Sequence, residues 1–93
     1  MKHNFLVHNV EDNVGVATKD IKSEEVVIGV CLEKNEEIKL LSNHDISLGH
    51  KIAIEDVEAG DNIIEYDEII GVATNNIKKG DWVHIHNIKS ARW

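Results

Sequence analysis

The chain has no proline, a single cysteine and four aromatic residues, and each shortage narrows what it can be. Without proline, its turns must be made by Gly, Asn and Asp. Cys31 has no internal partner, so no disulfide staples the chain, and a reducing, cytoplasmic setting is the expectation. Lying between Val30 and Leu32, it reads as a core filler. With Phe5, Tyr66, Trp82 and Trp93 as the only aromatics, the core must come from Ile, Val, Leu and Ala. No apolar run approaches the ~20 residues of a membrane helix. The N-terminus leads only into Leu6-Val7, so no signal peptide is expected. Basic clusters are also missing. Seventeen acidic against ten basic residues give a net charge of −7, which repels phosphate backbones and anionic lipid. Nucleic-acid and membrane partners are therefore not expected.

What is present is a β-rich pattern in 93 residues, enough for one domain spanning 1–93 and one modest core. VGVATKDIKSEEVV, from Val14, matches IGVATNNIKKGDWV, from Ile70, with Gly15/Gly71, Ala17/Ala73, Thr18/Thr74, Ile21/Ile77 and Val27/Val83 at one offset. A weaker copy, IAIEDVEAGDNII, runs from Ile52 to Ile64. Each copy reads as a strand, a one-turn connector and a returning strand. Ile21, Val57 and Ile77 tuck the turn onto the core, and Gly60 and Gly80 permit a positive φ at its exit. No useful 3.6-residue periodicity appears. The expected fold is an all-β, compact, pseudo-symmetric domain with short single-turn helices.

Chemistry concentrates near the C-terminus. Trp82 to Ile88 alternates apolar and polar residues and reads as a strand. Val83 and Ile85 then share one face, and Trp82, His84 and His86 share the other. Imidazoles two residues apart on a strand sit about 6.6 Å apart, close enough to converge on one metal ion or one anionic ligand. The alternative is a pair of exposed strand histidines. His50 follows Gly49 and precedes Lys51, offering a proton acceptor beside a cation, or simply a polar turn. Asp12 and Asn13 can supply a hard oxygen and an amide, but are also ordinary turn formers. His3, His8 and His44 read as surface residues.

Four motifs stand in order: Asp12-Asn13-Val14-Gly15-Val16-Ala17, Gly49-His50-Lys51-Ile52-Ala53-Ile54, Ile70-Gly71-Val72-Ala73-Thr74 and Trp82-Val83-His84-Ile85-His86-Asn87. Together, over positions 10 to 90, they resemble the SAF (antifreeze-like) module of the altronate and galactarate dehydratase family. The resemblance extends to the small subunit of sulfolactate sulfo-lyase, which eliminates sulfite instead of water. Departures fall at turns, with Ser23-Glu24 where a glycine is expected and Leu48 where a proline often precedes the glycine. The resemblance implies a β-clip fold and a stand-alone small subunit working with a large catalytic subunit. The implied substrate is a sugar acid. It also implies catalytic roles for His50, Lys51, His84 and His86, substrate contacts from Asp12, Asn13 and Asn87, and a divalent ion, Fe2+ or Mn2+, at His84 and His86. Self-association into a homo-oligomer stays open.

Removing water across the α,β bond of a carboxylate needs a base for the α-proton and an acid for the departing hydroxyl. A chain this small lacks the concave surface to exclude water alone, so it is expected to be inactive by itself. Three readings remain: small subunit of a sugar-acid hydro-lyase, small subunit of a sulfo-lyase, or a non-enzymatic SAF-type binding module.

Overall fold

The structure is a computed structural model and describes residues 3–90. Among them are nine strands: β1 (Phe5–Val7), β2 (Val14–Ala17), β3 (Val26–Cys31), β4 (Glu36–Leu41), β5 (Lys51–Ala53), β6 (Asn62–Glu65), β7 (Glu68–Ala73), β8 (Trp82–Val83) and β9 (Ile88–Ser90). They form a six-stranded sheet ordered β4-β3-β1-β2-β5-β8 and a three-stranded sheet ordered β6-β7-β9. The all-β expectation holds. Connectors expected as single helical turns are β-turns, and no helix occurs among the described residues.

Register shows how one sheet serves two cores. Phe5 opposes Ala17 and Gly29, while Gly15 opposes Ile52, which in turn opposes Trp82. Directly opposed residues share a face, so these side chains stand on one side of the large sheet. There Phe5, Val7, Ala17, Val27, Cys31, Leu40 and Ile52 pack into one cluster with Ile21 and Ile46. The Phe5 ring lies against Gly29, where any β-carbon would overlap it. Val14, Ala53 and Val83 stand on the opposite side and form a second cluster with Val57, Ile63, Ala73 and Ile77 under the small sheet. Cys31 is buried within the first cluster, as a core filler should be.

The turns explain the repeat and add a fourth copy that the pattern search misses. Lys22–Glu25, Ser47–His50, Glu58–Asp61 and Lys78–Asp81 each close with a main-chain bond from the fourth N–H to the first C=O, at 2.9–3.2 Å. The third residue of each has positive φ: Glu24 at 67°, Gly49 at 88°, Gly60 at 94° and Gly80 at 95°. An aliphatic residue precedes each turn, and these residues pair as two antiparallel bridges, Ile21 with Ile46 and Val57 with Ile77. Each bridge carries reciprocal clasps. Asp20 Oδ1 accepts from Leu48 N at 2.9 Å and Asp45 Oδ1 from Ser23 N at 2.8 Å. Likewise Asp56 Oδ1 accepts from Lys79 N at 2.8 Å and Asn76 Oδ1 from Ala59 N at 2.9 Å. All four aliphatics are buried, each contributing roughly 1.5–3 kcal/mol of apolar transfer.

The large sheet curls until its two edges meet at one end. Asn43, just beyond β4, donates from its main chain to Gly80 O at 2.9 Å and from Nδ2 to Asp81 Oδ1 at 2.9 Å. At the other end β4 stays apart from the residues after β5. A cavity of about 190 Å³ opens there, lined by Val7, Cys31, Ile38 and Ile54 with Asn9, Val10, Lys34 and Glu36.

Candidate functional site

Trp82 sits on the edge strand β8, and three imidazoles gather on its ring. His84 stacks on it with centroids 5.1 Å apart, His86 meets it at 4.9 Å, and His50 lies 5.9 Å away. His50 and His84 stack on each other at 5.2 Å. The indole Nε1–H donates to His50 Nδ1 at 3.2 Å. A fourth histidine completes the group: His44 Nδ1 accepts from the Trp82 main-chain N–H at 3.1 Å and lies 3.9 Å from Asp81 Oδ1. Four of the chain's six histidines thus surround one tryptophan.

The local cause is Asn87, not strand alternation. Its Oδ1 accepts from His84 N and its Nδ2 donates to Trp82 O, both at 2.9 Å. With Asn87 N bonded to His84 O at 3.0 Å, residues 84–87 close into a turn, and the strand ends at Val83. The expected strand through Ile88 is therefore corrected. Ile85 is 83% exposed instead of sharing a buried face with Val83. His84 and His86 come together through Trp82 and not as a strand pair. Asn87 is buried and works as a clasp.

His50 reaches the cluster through the second of the four turns. Its equivalents in the other turns are acidic, and Glu25 and Asp81 use their carboxylates to accept from the N–H at the start of the same turn. His50 does no such service, leaving its ring free to face Trp82. Lys51 does not join it. Adjacent strand residues point to opposite faces, and Lys51 Nζ lies 3.8 Å from Glu65 Oε1 across the gap to the small sheet. The expected His50–Lys51 couple is not brought together.

Asp12 and Asn13 lie elsewhere and are buried. The Asp12 carboxylate accepts from Tyr66 N at 3.0 Å, Asp67 N at 2.9 Å and Asn9 N at 3.2 Å. Asn13 donates from Nδ2 to Asn62 O at 2.9 Å and accepts at Oδ1 from Ile64 N at 2.8 Å. Both side chains join the small sheet to the large one. Their polar atoms bond main chain, which gives both residues a structural role.

His44 is the residue that sequence reading missed. Its signal was the fourth turn copy, Asp45-Ile46-Ser47-Leu48-Gly49-His50, which places His44 and His50 at the two ends of one loop. Among the described residues no group of three or more His, Cys, Asp or Glu side chains converges as a metal site. The imidazoles meet Trp82 and each other as stacked or tilted rings.

The chain is a small all-β module that gathers its polar rings on an edge strand and the flanking turns. Against known proteins, residues 3–91 match the altronate/galactarate dehydratase SAF domain, and the chain belongs to that family. It is 31% identical to a (2R)-sulfolactate sulfo-lyase subunit alpha of Chromohalobacter salexigens, with all of both chains covered. A second protein of that name, from Paracoccus pantotrophus, is 39% identical over 69% of this chain and 96% of its own length. Altronate dehydratase of Bacillus subtilis is 35% identical over 97% of this chain, a stretch that is only 17% of that enzyme. Relatives are thus either subunits of comparable size or segments of much longer lyases.

Proposed function

We propose that the chain is the small subunit of a lyase, carrying the Trp82 ring cluster onto a larger catalytic subunit where a sugar acid of the altronate type loses water. The observation that supports it most is the gathering of His44, His50, His84 and His86 about one tryptophan. None of the four histidines belongs to either core cluster. Two exposed aliphatics on the same loops, Leu48 at 62% and Ile85 at 83%, give the larger subunit an apolar rim to seal against. Within that contact His50 holds a proton at Nε2, because Nδ1 already accepts from Trp82. That proton is placed for donation to a departing group, and His84 and His86 bind the carboxylate or take up a proton. A divalent ion at this surface, Fe2+ or Mn2+, would polarise the carboxylate or the leaving hydroxyl. It would take most of its ligands from the larger subunit.

The end-to-end match to a sulfo-lyase subunit supports a second reading of the same site, in which sulfite leaves instead of water. The test is to produce the chain with the large subunit from the neighbouring reading frame and assay altronate and sulfolactate side by side. His84→Ala and His86→Ala should each lower turnover at least about tenfold. Melting temperature should stay unchanged, because His86 is exposed and His84 half-buried. Full activity in both variants removes these rings from the mechanism. Loss of stability in step with activity makes them structural.

A further inference from the structure

The outer edge of β4 is the other open feature of the fold, and it lies on a different strand from the ring cluster. Ser42 N bonds to Glu25 O at 2.9 Å, and in an antiparallel ladder bonding alternates along the strand. Leu40, Ile38 and Glu36 therefore direct their main-chain groups to β3, while Glu37, Lys39 and Leu41 direct theirs outward. The Leu41 oxygen is covered by Gly80, which leaves Glu37 and Lys39 as the open stretch. Their side chains stand on the outer face with Val26, Ile28 and Leu41, which are 56%, 36% and 51% exposed. The β3–β4 register runs six pairs without a bulge and the strand has no proline, so of the usual devices against pairing the edge keeps only its charged side chains, and these are of both signs.

We propose that β4 pairs antiparallel with β4 of a second copy of this chain, about a two-fold axis through Ile38. That register sets Glu37 opposite the second copy's Lys39, and Lys39 opposite its Glu37. Both pairs are of the hydrogen-bonded kind, so four main-chain bonds and two ion pairs form at once. Charge selects this register. An axis one residue further on, through Lys39, would set like charges against each other. An axis through Leu40 would drive the strand end into the Gly80 side of the fold. Alternation of Glu and Lys about a central aliphatic is self-complementary, which is what an isologous contact requires. The exposed Val26, Ile28 and Leu41 of each copy then flank the charged rows, one apolar patch on either side of the two-fold axis. Glu37 Oε2 lies 3.5 Å from His3 Nε2 and remains free to reach across the axis, its side chain being 70% exposed.

The test is the mass of the full chain in solution, by sedimentation equilibrium or light scattering, as concentration rises through the micromolar range. The parent should move from the 10.5 kDa of one chain toward twice that value. Glu37→Lys or Lys39→Glu alone places like charges opposite each other at two symmetric points and should raise the dimer dissociation constant about tenfold or more. The double swap Glu37→Lys with Lys39→Glu restores opposite charges and should restore the dimer. Far-UV circular dichroism confirms that each variant is folded. A parent that stays monomeric, or a double swap no tighter than either single change, overturns the proposal. Protection of β4 only when the larger subunit is present assigns the edge to that subunit and overturns it equally.

Discussion

Trp82 Nε1–H donates to His50 Nδ1 across 3.2 Å, tying edge strand β8 to the turn that precedes β5. The bond sets the tautomer of the neutral imidazole, since a ring that accepts at Nδ1 carries its proton on Nε2. Trp82→Phe keeps an aromatic ring in place, removes the donor and gives up part of the ring's packing. The variant should fold, lose about 1 kcal/mol of stability, and release His50 to exchange between tautomers. Imidazole nitrogen chemical shifts read the tautomer directly. In the assembled enzyme, turnover should fall about tenfold without a matching rise in KM. A fixed tautomer in the variant would show that other contacts set it.

Asn87 governs the same site from below. Asn87→Ala would strip two hydrogen bonds, leaving His84 N–H and Trp82 C=O without those partners in a partly buried place. The expected cost is about 2 kcal/mol in urea unfolding, with weakened near-ultraviolet dichroism as the rings around Trp82 loosen. Asn87→Asp retains an acceptor for His84 N–H and should fall between the parent and the alanine variant. An alanine variant as stable as the parent would show that the turn at 84–87 closes through its main chain alone.

The same residue explains where sequence reading succeeded and where it stopped. Turn positions were legible because their physics is local: an aliphatic that packs, then a residue able to take positive φ, then an acid. Gly60 and Gly80 follow that rule, and Ile21, Val57 and Ile77 are buried as expected. Trp82 to Ile88 misled because its alternation satisfies a strand template, while one asparagine offers the main chain a competing closure. Asp12 was read as a turn former or ligand donor from its neighbours in sequence. Its partners are Tyr66 and Asp67, more than fifty residues away. Strand order hid His44 in the same way, since β8 meets the residues after β4 only once the sheet has curled.

Asp12 supports an unusual hairpin. Tyr66 and Asp67 join β6 to β7 as a two-residue turn with φ of 56° and 62°, a conformation normally left to Asn-Gly or Gly-Gly. Their N–H groups point to the two oxygens of Asp12, and His8 packs on the Tyr66 ring with centroids 4.1 Å apart. Asp12→Ala removes three acceptor contacts at a buried position and should cost about 3 kcal/mol. Asp67→Gly relieves strain at the turn and should recover part of that loss in the double variant. Chemical denaturation of the four proteins measures it. An Asp12→Ala variant with parental stability and impaired substrate affinity would return Asp12 to a ligand-binding role.

Glu24 is the one non-glycine among the four turn residues with positive φ, at 67° against 88–95° for Gly49, Gly60 and Gly80. A β-carbon in that region crowds the following carbonyl and costs roughly 1–2 kcal/mol. Glycine there gives back some of the gain, because it loses more freedom on folding. Glu24 is exposed, and none of the described side-chain hydrogen bonds involves it. Its main-chain N–H bonds to Ser42 O at 2.7 Å, a contact glycine keeps. Glu24→Gly should therefore stabilise the chain by up to about 1 kcal/mol, and Gly60→Glu should destabilise it by about as much. No neighbour crowds a side chain at position 60, so conformation alone sets that cost. Midpoints of urea unfolding at constant slope decide the matter. If Glu24→Gly destabilises while Gly60→Glu is neutral, the carboxylate of Glu24 supplies a contact that outweighs the backbone strain.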